Sequence, residues 1–261
     1  MPYTFMSFIA MFLVTSMFLV TAASNVRAEE TARIAIGEWP PYLSVELPHY
    51  GVAAHIVEES FRAADLQVEF GFFPWNRVAQ YVEDGTWDTS ILWVETEERK
   101  KIYLFSDVVF EGTAVFFHRK ERPLSWNTYQ DFEGLKFGGL MSATYPWFED
   151  AKLAGVSMKM EKVSDEGLNF AKLLSGRIDA FSLDKLVGLY ILQRQLPYVM
   201  DHISYNPRPI ESWPYRLIFT QSPRGEMLVE AFNRGLQKIK DNGLVHRHLQ
   251  EAVEGIYYPY K

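Results

Sequence analysis

Residues 74–107, PWNRVAQYVEDGTWDTSILWVETEERKKIYLFSD, decide the fold of this chain. Their first part predicts a helix, because apolar residues recur at the spacing of one helical face and Gly85 follows as a stop signal. That face consists of Val78, Ala79, Tyr81 and Val82. Asp88 then precedes an apolar run of strand length, residues 89–94, which ends in a charged turn. A helix therefore leads into a buried strand, and in an open α/β sheet ligands bind at the carboxyl ends of such strands.

Strands and helices are predicted to alternate on both sides of this stretch. The predicted elements are strands over 33–36, 68–73, 136–140, 158–163, 180–183 and 215–220, and helices over 51–66, 145–154, 166–175, 184–196, 226–240 and 244–252. A further extended run over 108–119 is interrupted at Glu111-Gly112-Thr113. Such alternation predicts an α/β protein with a mainly parallel sheet that is covered on both faces.

The turn from Gly85 to Asp88 has an echo in the turn from Gly176 to Asp179. Each turn follows a predicted helix and precedes a predicted strand. Glycine is the usual residue after the end of a helix, so the turn can also recur by chance. Because the matched turns stand in a matched order of elements, they favour two similar α/β domains.

The composition of the chain narrows its class. It has 261 residues, 48% hydrophobic and 15% aromatic, which is enough for one large domain or two modest ones and unlike a disordered chain. The formal net charge is -7 and no basic block stands out, so we expect no nucleic-acid partner. Cysteine is absent, which excludes disulfides, thiolate metal sites, a cysteine nucleophile and the lipidated cysteine of a lipoprotein.

The N-terminal sequence predicts export. Residues 5–23 are almost uninterrupted apolar sequence, and Val26-Arg27-Ala28 offers a small-x-small cleavage site. Residues 1–8 carry no lysine or arginine, however, so an uncleaved membrane anchor is the alternative. The hydroxyl residues within the apolar run and the small residues at its end favour a cleaved signal peptide, residues 1–28, and a periplasmic location.

Catalytic and metal-binding motifs are missing from the sequence. The chain lacks G-x-S-x-G, a P-loop and H-E-x-x-H, so we name no catalytic residue and no cofactor. Its six histidines are scattered, and the nearest pair, His246 and His248, points in different directions on a predicted helix. We therefore expect no metal site.

The order G-x-x-D, apolar strand, T-x-E-R and F-S-D resembles the first-domain signature of bacterial periplasmic solute-binding proteins of the polar amino-acid type, family 3. It is carried by Gly85, Asp88, Thr96, Glu98, Arg99 and Phe105-Ser106-Asp107. The likeness extends from about Ala32 to the C-terminus, and it implies two similar α/β domains of the type II periplasmic binding fold with a ligand cleft between them. Residues 31–112 and 214–261 would form domain 1 and residues 113–213 domain 2, with hinge crossings near Glu111-Gly112-Thr113 and Pro214.

The resemblance also implies a function. The protein would capture a small polar ligand, an amino acid or a related amine or carboxylate, by hinge closure for ABC-type uptake. Its partner would be an inner-membrane ABC transporter or receptor, and the protein would be a monomer without enzymatic activity. Two alternatives use the same cleft: a ligand sensor for a membrane receptor, and a small-molecule lyase or dehydratase with Glu38 or Asp184 as acid or base.

Two charged residues are implied as ligand contacts by the resemblance. Arg99 matches the arginine that grips the ligand's α-carboxylate, a role that suits the planar guanidinium; alternatively it is a solvated residue paired with Glu95 or Glu97. Asp184 ends residues 176–184, which match G-R-x-D-A-x-x-x-D, and it would receive the ligand's α-ammonium; alternatively it is a helix N-cap. We expect both side chains at exposed strand or helix ends, facing each other across the cleft.

Further contacts are expected around these two residues. Ser142 and Thr144 lie where the family carries a Gly-Thr-Thr-like loop, at a helix N-terminus that suits a carboxylate, although either residue can be the helix cap alone. Glu38 can accept from a ligand amine or remain solvated, and Arg77 is a second anion contact or a surface residue. Aromatic residues at predicted strand-to-helix edges are Trp39, Tyr42, Trp75, Trp93, Tyr145 and Trp147, of which some face the cleft and the others are core. Trp93-Val94-Glu95 stands where the family usually has small serine or threonine residues, which argues against a standard amino-acid ligand. This departure leaves open a bulkier or aromatic-stacking ligand, or a binding protein outside any transporter operon.

Overall fold

The structure, a computed structural model, describes residues 30–258 as alternating strands and helices. The strands are β1 (Thr31–Ile36), β2 (Gln67–Phe72), β3 (Thr89–Trp93), β4 (Tyr103–Phe105), β5 (Phe110–Arg119), β6 (Lys136–Leu140), β7 (Lys159–Val163), β8 (Ala180–Asp184), β9 (Ile203–Tyr205) and β10 (Glu211–Thr220). The α-helices are α1 (Val52–Arg62), α2 (Trp75–Glu83), α3 (Pro146–Leu153), α4 (Glu166–Leu174), α5 (Lys185–Tyr190), α6 (Pro223–Asp241) and α7 (Leu244–Val253). The predicted signal peptide, residues 1–28, lies outside the described residues. Within the described range, every helix is too short or too polar to cross a membrane.

The strands form one sheet in the order β2-β1-β3-β10-β5-β8-β6-β7, with β4 beside β10 and β9 beside β5. Two groups of three strands are parallel, β2-β1-β3 and β7-β6-β8. The strands between them, β10 and β5, run antiparallel to their neighbours. The expectation of two similar α/β halves is confirmed, and each half has a parallel group at its outer edge because helices connect its strands.

Strands β5 and β10 pass between the two halves side by side. They pair from Phe110 with Tyr215 to Ala114 with Glu211, after which β5 continues along β8 and β10 along β3. The predicted interruption at residues 111–113 is wrong, because β5 is continuous. Gly112 serves packing instead: a Cβ at this position would lie 2.2 Å from the ring of Tyr215.

The repeated glycine-to-aspartate turns have the same structure in both halves. The carboxylate of Asp88 accepts a hydrogen bond from the backbone N–H of Arg33 in β1 at 2.9 Å, and Asp179 accepts from the backbone N–H of Lys136 in β6 at 2.9 Å. The glycine three residues before each aspartate has a positive φ, 76° and 72°, a conformation that favours glycine. Each aspartate therefore ties the start of one parallel strand to its neighbour. The repeated turn in the sequence thus corresponds to a repeated hydrogen bond in the two halves and is more than a glycine at a helix end.

Separate cores lie on the faces of the two halves. In the first half, α1 and α6 pack so closely that a Cβ at Gly235 would lie 1.8 Å from the carbonyl oxygen of Ser60. In the second half, Trp147 is 2% exposed, packs edge-on against Phe116 and donates from Nε1 to Ser182 Oγ at 3.1 Å. Trp147 is thus a core residue and not a cleft residue.

Candidate functional site

A pocket of about 320 Å³ lies at the carboxyl end of β3. It is lined by Trp39, Trp75, Leu92, Trp93, Val94 and Arg99. Its volume is at the lower end of the range of small-molecule pockets, which begins at about 300 Å³. The structure therefore brings together Arg99 and three of the aromatic residues that the sequence singled out.

Trp75 and Trp93 of this pocket are held in place by hydrogen bonds and by contact with each other. The indole Nε1 of Trp75 donates to the carbonyl oxygen of Glu38 at 2.9 Å, and the indole lies so close to the loop that a Cβ at Gly37 would be 2.5 Å from it. Trp93 donates from Nε1 to Ser90 Oγ at 2.9 Å, and its ring meets that of Trp75 edge-on at 6.4 Å. The two indoles are thus fixed by polar contacts at their edges.

The guanidinium of Arg99 lies against the wall of the pocket. It is 5.0 Å from the centre of the Trp93 ring, and one of its nitrogens donates to the carbonyl oxygen of Val94 at 2.7 Å. The acidic residues of the same turn are paired with another cation: Lys100 Nζ is 2.8 Å from Glu95 and 3.1 Å from Glu97. Among the described carboxylates, none pairs with Arg99. The geometry therefore does not show the alternative in which Arg99 pairs with Glu95 or Glu97. A guanidinium has five N–H donors, and those not used by Val94 can serve an anion.

Leu92 is a pocket residue that sequence reasoning missed. Its φ is 69°, a left-handed conformation that is unfavourable for a residue with a bulky side chain. The register between β3 and β10 shifts next to it, between Arg216 and Ile218. No sequence pattern marks a single strained residue of this kind in an apolar run.

The second predicted anchor, Asp184, is buried. It ends β8 with 7% of its surface exposed, and its carboxylate caps α5 by accepting from the backbone N–H of Val187 at 3.0 Å. The hydroxyl of Tyr42 donates to the same carboxylate, at 3.1 and 2.9 Å to its two oxygens. Burial raises the pKa of Asp184 to about 6, although the hydrogen bonds from Val187 and Tyr42 oppose this change. The expectation of an exposed position is wrong, because Tyr42 covers the carboxylate.

Tyr42 belongs to the first half of the chain and reaches the second half through this hydrogen bond. Its ring, 2% exposed, stacks on Phe110 of β5 at 5.7 Å and meets Tyr215 of β10 at 6.2 Å and Trp39 at 5.1 Å. Burial, followed by the charge of Asp184, raises the pKa of Tyr42 well above its ordinary value, so the hydroxyl stays protonated. The structure therefore places Tyr42 against the side chains of the crossing strands and not among the residues that line the pocket.

The remaining predicted contacts lie elsewhere. Glu38 is exposed, and its carboxylate accepts from the backbone N–H of Val45 at 2.9 Å. Arg77 is exposed on α2, and Ser142 and Thr144 are exposed in the turn between β6 and α3. The pocket beside Trp93 includes none of these described side chains, so their predicted roles rest on the sequence alone.

Comparison with known proteins identifies the family. Residues 33–252 match the bacterial extracellular solute-binding proteins, family 3. The chain belongs to this family. Several motif residues of this solute-binding protein serve its fold: Asp88 is 5% exposed and accepts from Arg224 at 2.9 and 3.1 Å, and Ser106 Oγ accepts from the backbone N–H of Leu217 at 2.9 Å.

Solved structures share the two-domain fold of this solute-binding protein. Substrate-binding domain 2 of GlnP from Lactococcus lactis, in an open conformation, is 16% identical with a TM-score of 0.71, covering 87% of this chain and 97% of the other. An ancestral arginine-binding protein bound to arginine is 24% identical with a TM-score of 0.57, covering 88% and 98%. The ancestral amino acid-binding protein AncCDT-1, a precursor of cyclohexadienyl dehydratase, is 17% identical with a TM-score of 0.56, covering 85% and 95%. The solute-binding protein described here thus has the type II periplasmic binding fold.

Proposed function

We propose that this chain is a periplasmic binding protein that captures a small ligand with a carboxylate and an apolar or aromatic part. The observation that carries the proposal is the position of the Arg99 guanidinium, which lies over the Trp93 ring at 5.0 Å from its centre and has no acidic partner among the described residues. A planar guanidinium binds a carboxylate through two parallel hydrogen bonds, and indole faces bind flat or apolar groups. Arg99 then fixes the charge, and Trp39 and Trp75 enclose the rest of the ligand.

The ligand class that this site supports is an amino acid or a related carboxylate. The solved relatives named for amino acids, including one bound to arginine, support this class. An α-ammonium group can reach Asp184 only when the hydroxyl of Tyr42 leaves the carboxylate. The contact with Arg99 therefore carries the proposal, and the contact with Asp184 is secondary to it.

Ligand capture is proposed to close the cleft by bending at the two crossing strands. Domain 1, residues 31–112 and 214–261, and domain 2, residues 113–213, are joined by β5 and β10 alone in this scheme, an arrangement typical of hinges. A signal peptide, residues 1–28, would direct the protein to the periplasm and be cleaved there. The released protein would act as a monomer. It would deliver its ligand to an inner-membrane ABC transporter; a sensor role differs only in that the partner is a membrane receptor.

The test is a thermal-shift screen of amino acids, small peptides, amines and organic acids, followed by variants of Arg99. A ligand at 100 times its dissociation constant stabilises the folded state by about 2.7 kcal/mol, which such a screen detects. For each hit, Arg99→Ala should weaken binding by about 2–5 kcal/mol, roughly thirtyfold or more. Arg99→Lys should be nearly as harmful, because an ammonium cannot reproduce the planar fork.

Lys101→Ala is the matched control, since Lys101 is an exposed cation two residues away. It should leave both affinity and stability unchanged. If Arg99→Ala binds the ligand normally and the ligand-free protein loses melting temperature, Arg99 is structural and the proposed site is wrong.

A lyase or dehydratase on the same scaffold is the second candidate. The observation that favours it is the buried carboxyl of Asp184, whose pKa of about 6 allows proton exchange near neutral pH. Incubating each hit with the purified protein and analysing the solution by mass spectrometry separates the two functions. A binding protein returns the ligand unchanged, whereas a dehydratase releases a product lighter by one water.

A further inference from the structure

A cluster of histidine and glutamate side chains lies between α1 and α7 and shares no residue with the Trp93 pocket. His55 and Glu59 stand one turn apart on α1, and His248 of α7 meets them. One nitrogen or oxygen atom of each residue lies within 4.8 Å of those of the other two. The distance from His55 Nε2 to Glu59 Oε1 is 3.6 Å. Two atoms bound tetrahedrally to one zinc ion are about 3.3 Å apart, so this pair needs only a small adjustment.

The imidazole of His248 is oriented for an additional partner. Its ring is 6% exposed, and within the described part of the chain its Nε2 atom has no hydrogen-bond partner. The opposite nitrogen, Nδ1, is 3.0 Å from a carboxylate oxygen of Glu251 and 3.0 Å from the hydroxyl of Tyr257. A buried ring nitrogen without a partner is unfavourable. A histidine that binds a metal usually donates its other N–H to a carboxylate, as this geometry allows.

The imidazole of His55 is oriented in the same sense. Its Nδ1 is 2.6 Å from the hydroxyl of Tyr257, so the same tyrosine contacts Nδ1 of both rings. Each ring can therefore carry its proton on Nδ1 and keep the lone pair of Nε2 for a metal.

We propose that His55, Glu59 and His248 form a binding site for a divalent transition-metal ion of the zinc class. Two neutral imidazoles and a carboxylate are a ligand set that suits Zn²⁺, with water in the fourth position. The bound ion joins α1 to α7, and Glu251 orients His248 from the outer side. Arg62 also contacts Glu59, but 61% of its side chain is exposed, so its guanidinium can move into water when the ion binds.

This site was not expected from the sequence. The nearest histidines in the sequence are His246 and His248, which do not face each other on a helix. The useful signal was the spacing of His55 and Glu59, four residues apart on one helical face. Only the packing of α7 on α1 supplies the third ligand.

The experiment measures Zn²⁺ binding to the chelator-treated protein, with any affinity tag removed, by isothermal titration calorimetry. The wild type should bind one equivalent per chain, and Co²⁺ in its place should give the strong visible absorption of a four-coordinate ion. Loss of a residue that only orients a metal ligand weakens metal binding by about 10–100-fold. His55→Gln and Glu59→Gln each remove a ligand itself, so each should weaken Zn²⁺ binding by at least that much. His246→Gln, on the exposed side of the same helix as His248, is the control and should leave the affinity unchanged.

Three results would overturn the proposal. These are a wild type that binds no stoichiometric Zn²⁺, wild-type affinity in both His55→Gln and Glu59→Gln, and loss of binding in His246→Gln. Urea unfolding checks that each variant is folded. Should a ligand variant fail that check, Glu251→Gln replaces it, because this variant keeps all three ligands and should weaken Zn²⁺ binding about tenfold. Unchanged affinity in Glu251→Gln then contradicts the proposed orientation of His248.

Discussion

Replacing Tyr42 with phenylalanine removes one hydroxyl from the link between the two halves of the chain. That hydroxyl donates to both carboxylate oxygens of Asp184, while the ring keeps its packing on Phe110. A hydrogen bond to a charged group contributes about 1.5–3 kcal/mol to stability, and one between neutral groups about 0.5–1.5 kcal/mol. At pH 8 Asp184 is ionised, because its pKa is about 6. We therefore expect Tyr42→Phe to lower the free energy of unfolding by about 1.5–3 kcal/mol at that pH.

The same substitution should cost less in acid. At pH 5 the carboxyl of Asp184 is mostly protonated, since its pKa is about 6. The hydroxyl then contributes only a neutral hydrogen bond, and the expected loss falls to about 0.5–1.5 kcal/mol. The pKa of Asp184 should rise further in the variant, because the lost donor favoured the ionised form.

Urea unfolding at pH 5 and pH 8 measures both losses. Tyr215→Phe is the matched control: it makes the same chemical change in the same aromatic cluster, and in the described structure the Tyr215 hydroxyl has no hydrogen bond to Asp184. Its effect should be small and equal at the two pH values. An equal loss for Tyr42→Phe at both pH values, or a loss no larger than that of Tyr215→Phe, would refute the reasoning.

Three further substitutions probe the fold and its electrostatics. Asp184→Asn should flatten the dependence of the unfolding free energy on pH. Folding raises the pKa of Asp184 from an ordinary 3.8 to about 6. This shift stabilises the folded state below about pH 4, and the stabilisation is lost as the pH rises through 6. The loss that this variant removes is about 3 kcal/mol, seen by urea unfolding between acid and neutral pH. Gly235→Ala should lower the urea midpoint by an amount equivalent to about 1–3 kcal/mol, since its Cβ would collide with the carbonyl of Ser60. Asp88→Ala should lower the free energy of unfolding by about 1–3 kcal/mol in the same assay, because the backbone N–H of Arg33 loses its acceptor. The loss is no larger because the partly exposed Arg224 can hydrogen-bond to water instead.

The order of the strands and helices followed from local patterns in the sequence. Apolar spacing predicted both parallel groups, and the paired turns at Asp88 and Asp179 marked their equivalent positions. The continuity of β5 through Gly112 was not predictable, because the side chain that requires this glycine, Tyr215, lies far along the chain. The helix predicted over 184–196 is an α-helix only to Tyr190 and then a π-helix from Ile191 to Gln195, a distinction that apolar spacing does not encode.

The residues of the pocket were predictable where they depend on strand ends. Arg99, Trp39 and Trp93 were expected together because the carboxyl ends of parallel neighbours meet at one edge of the sheet. The burial of Asp184 was not predictable, because its cover comes from Tyr42, 142 residues earlier in the chain. A helix cap and a ligand contact are also indistinguishable in sequence, since an aspartate at the end of a strand serves either.

Through its hydrogen bond, Tyr42 is an intramolecular competitor for any ligand group that needs the carboxylate of Asp184. Such a group binds only those molecules in which the phenol does not hydrogen-bond to Asp184. The apparent dissociation constant is therefore the intrinsic one divided by the fraction of such molecules. If release costs about 1.4 kcal/mol, the apparent affinity is lower by about tenfold. For a solute that uses Asp184, a residue outside the pocket would thereby set the concentration at which the protein fills. Exchange of this one side chain would shift that concentration while the residues that line the pocket stay as they are.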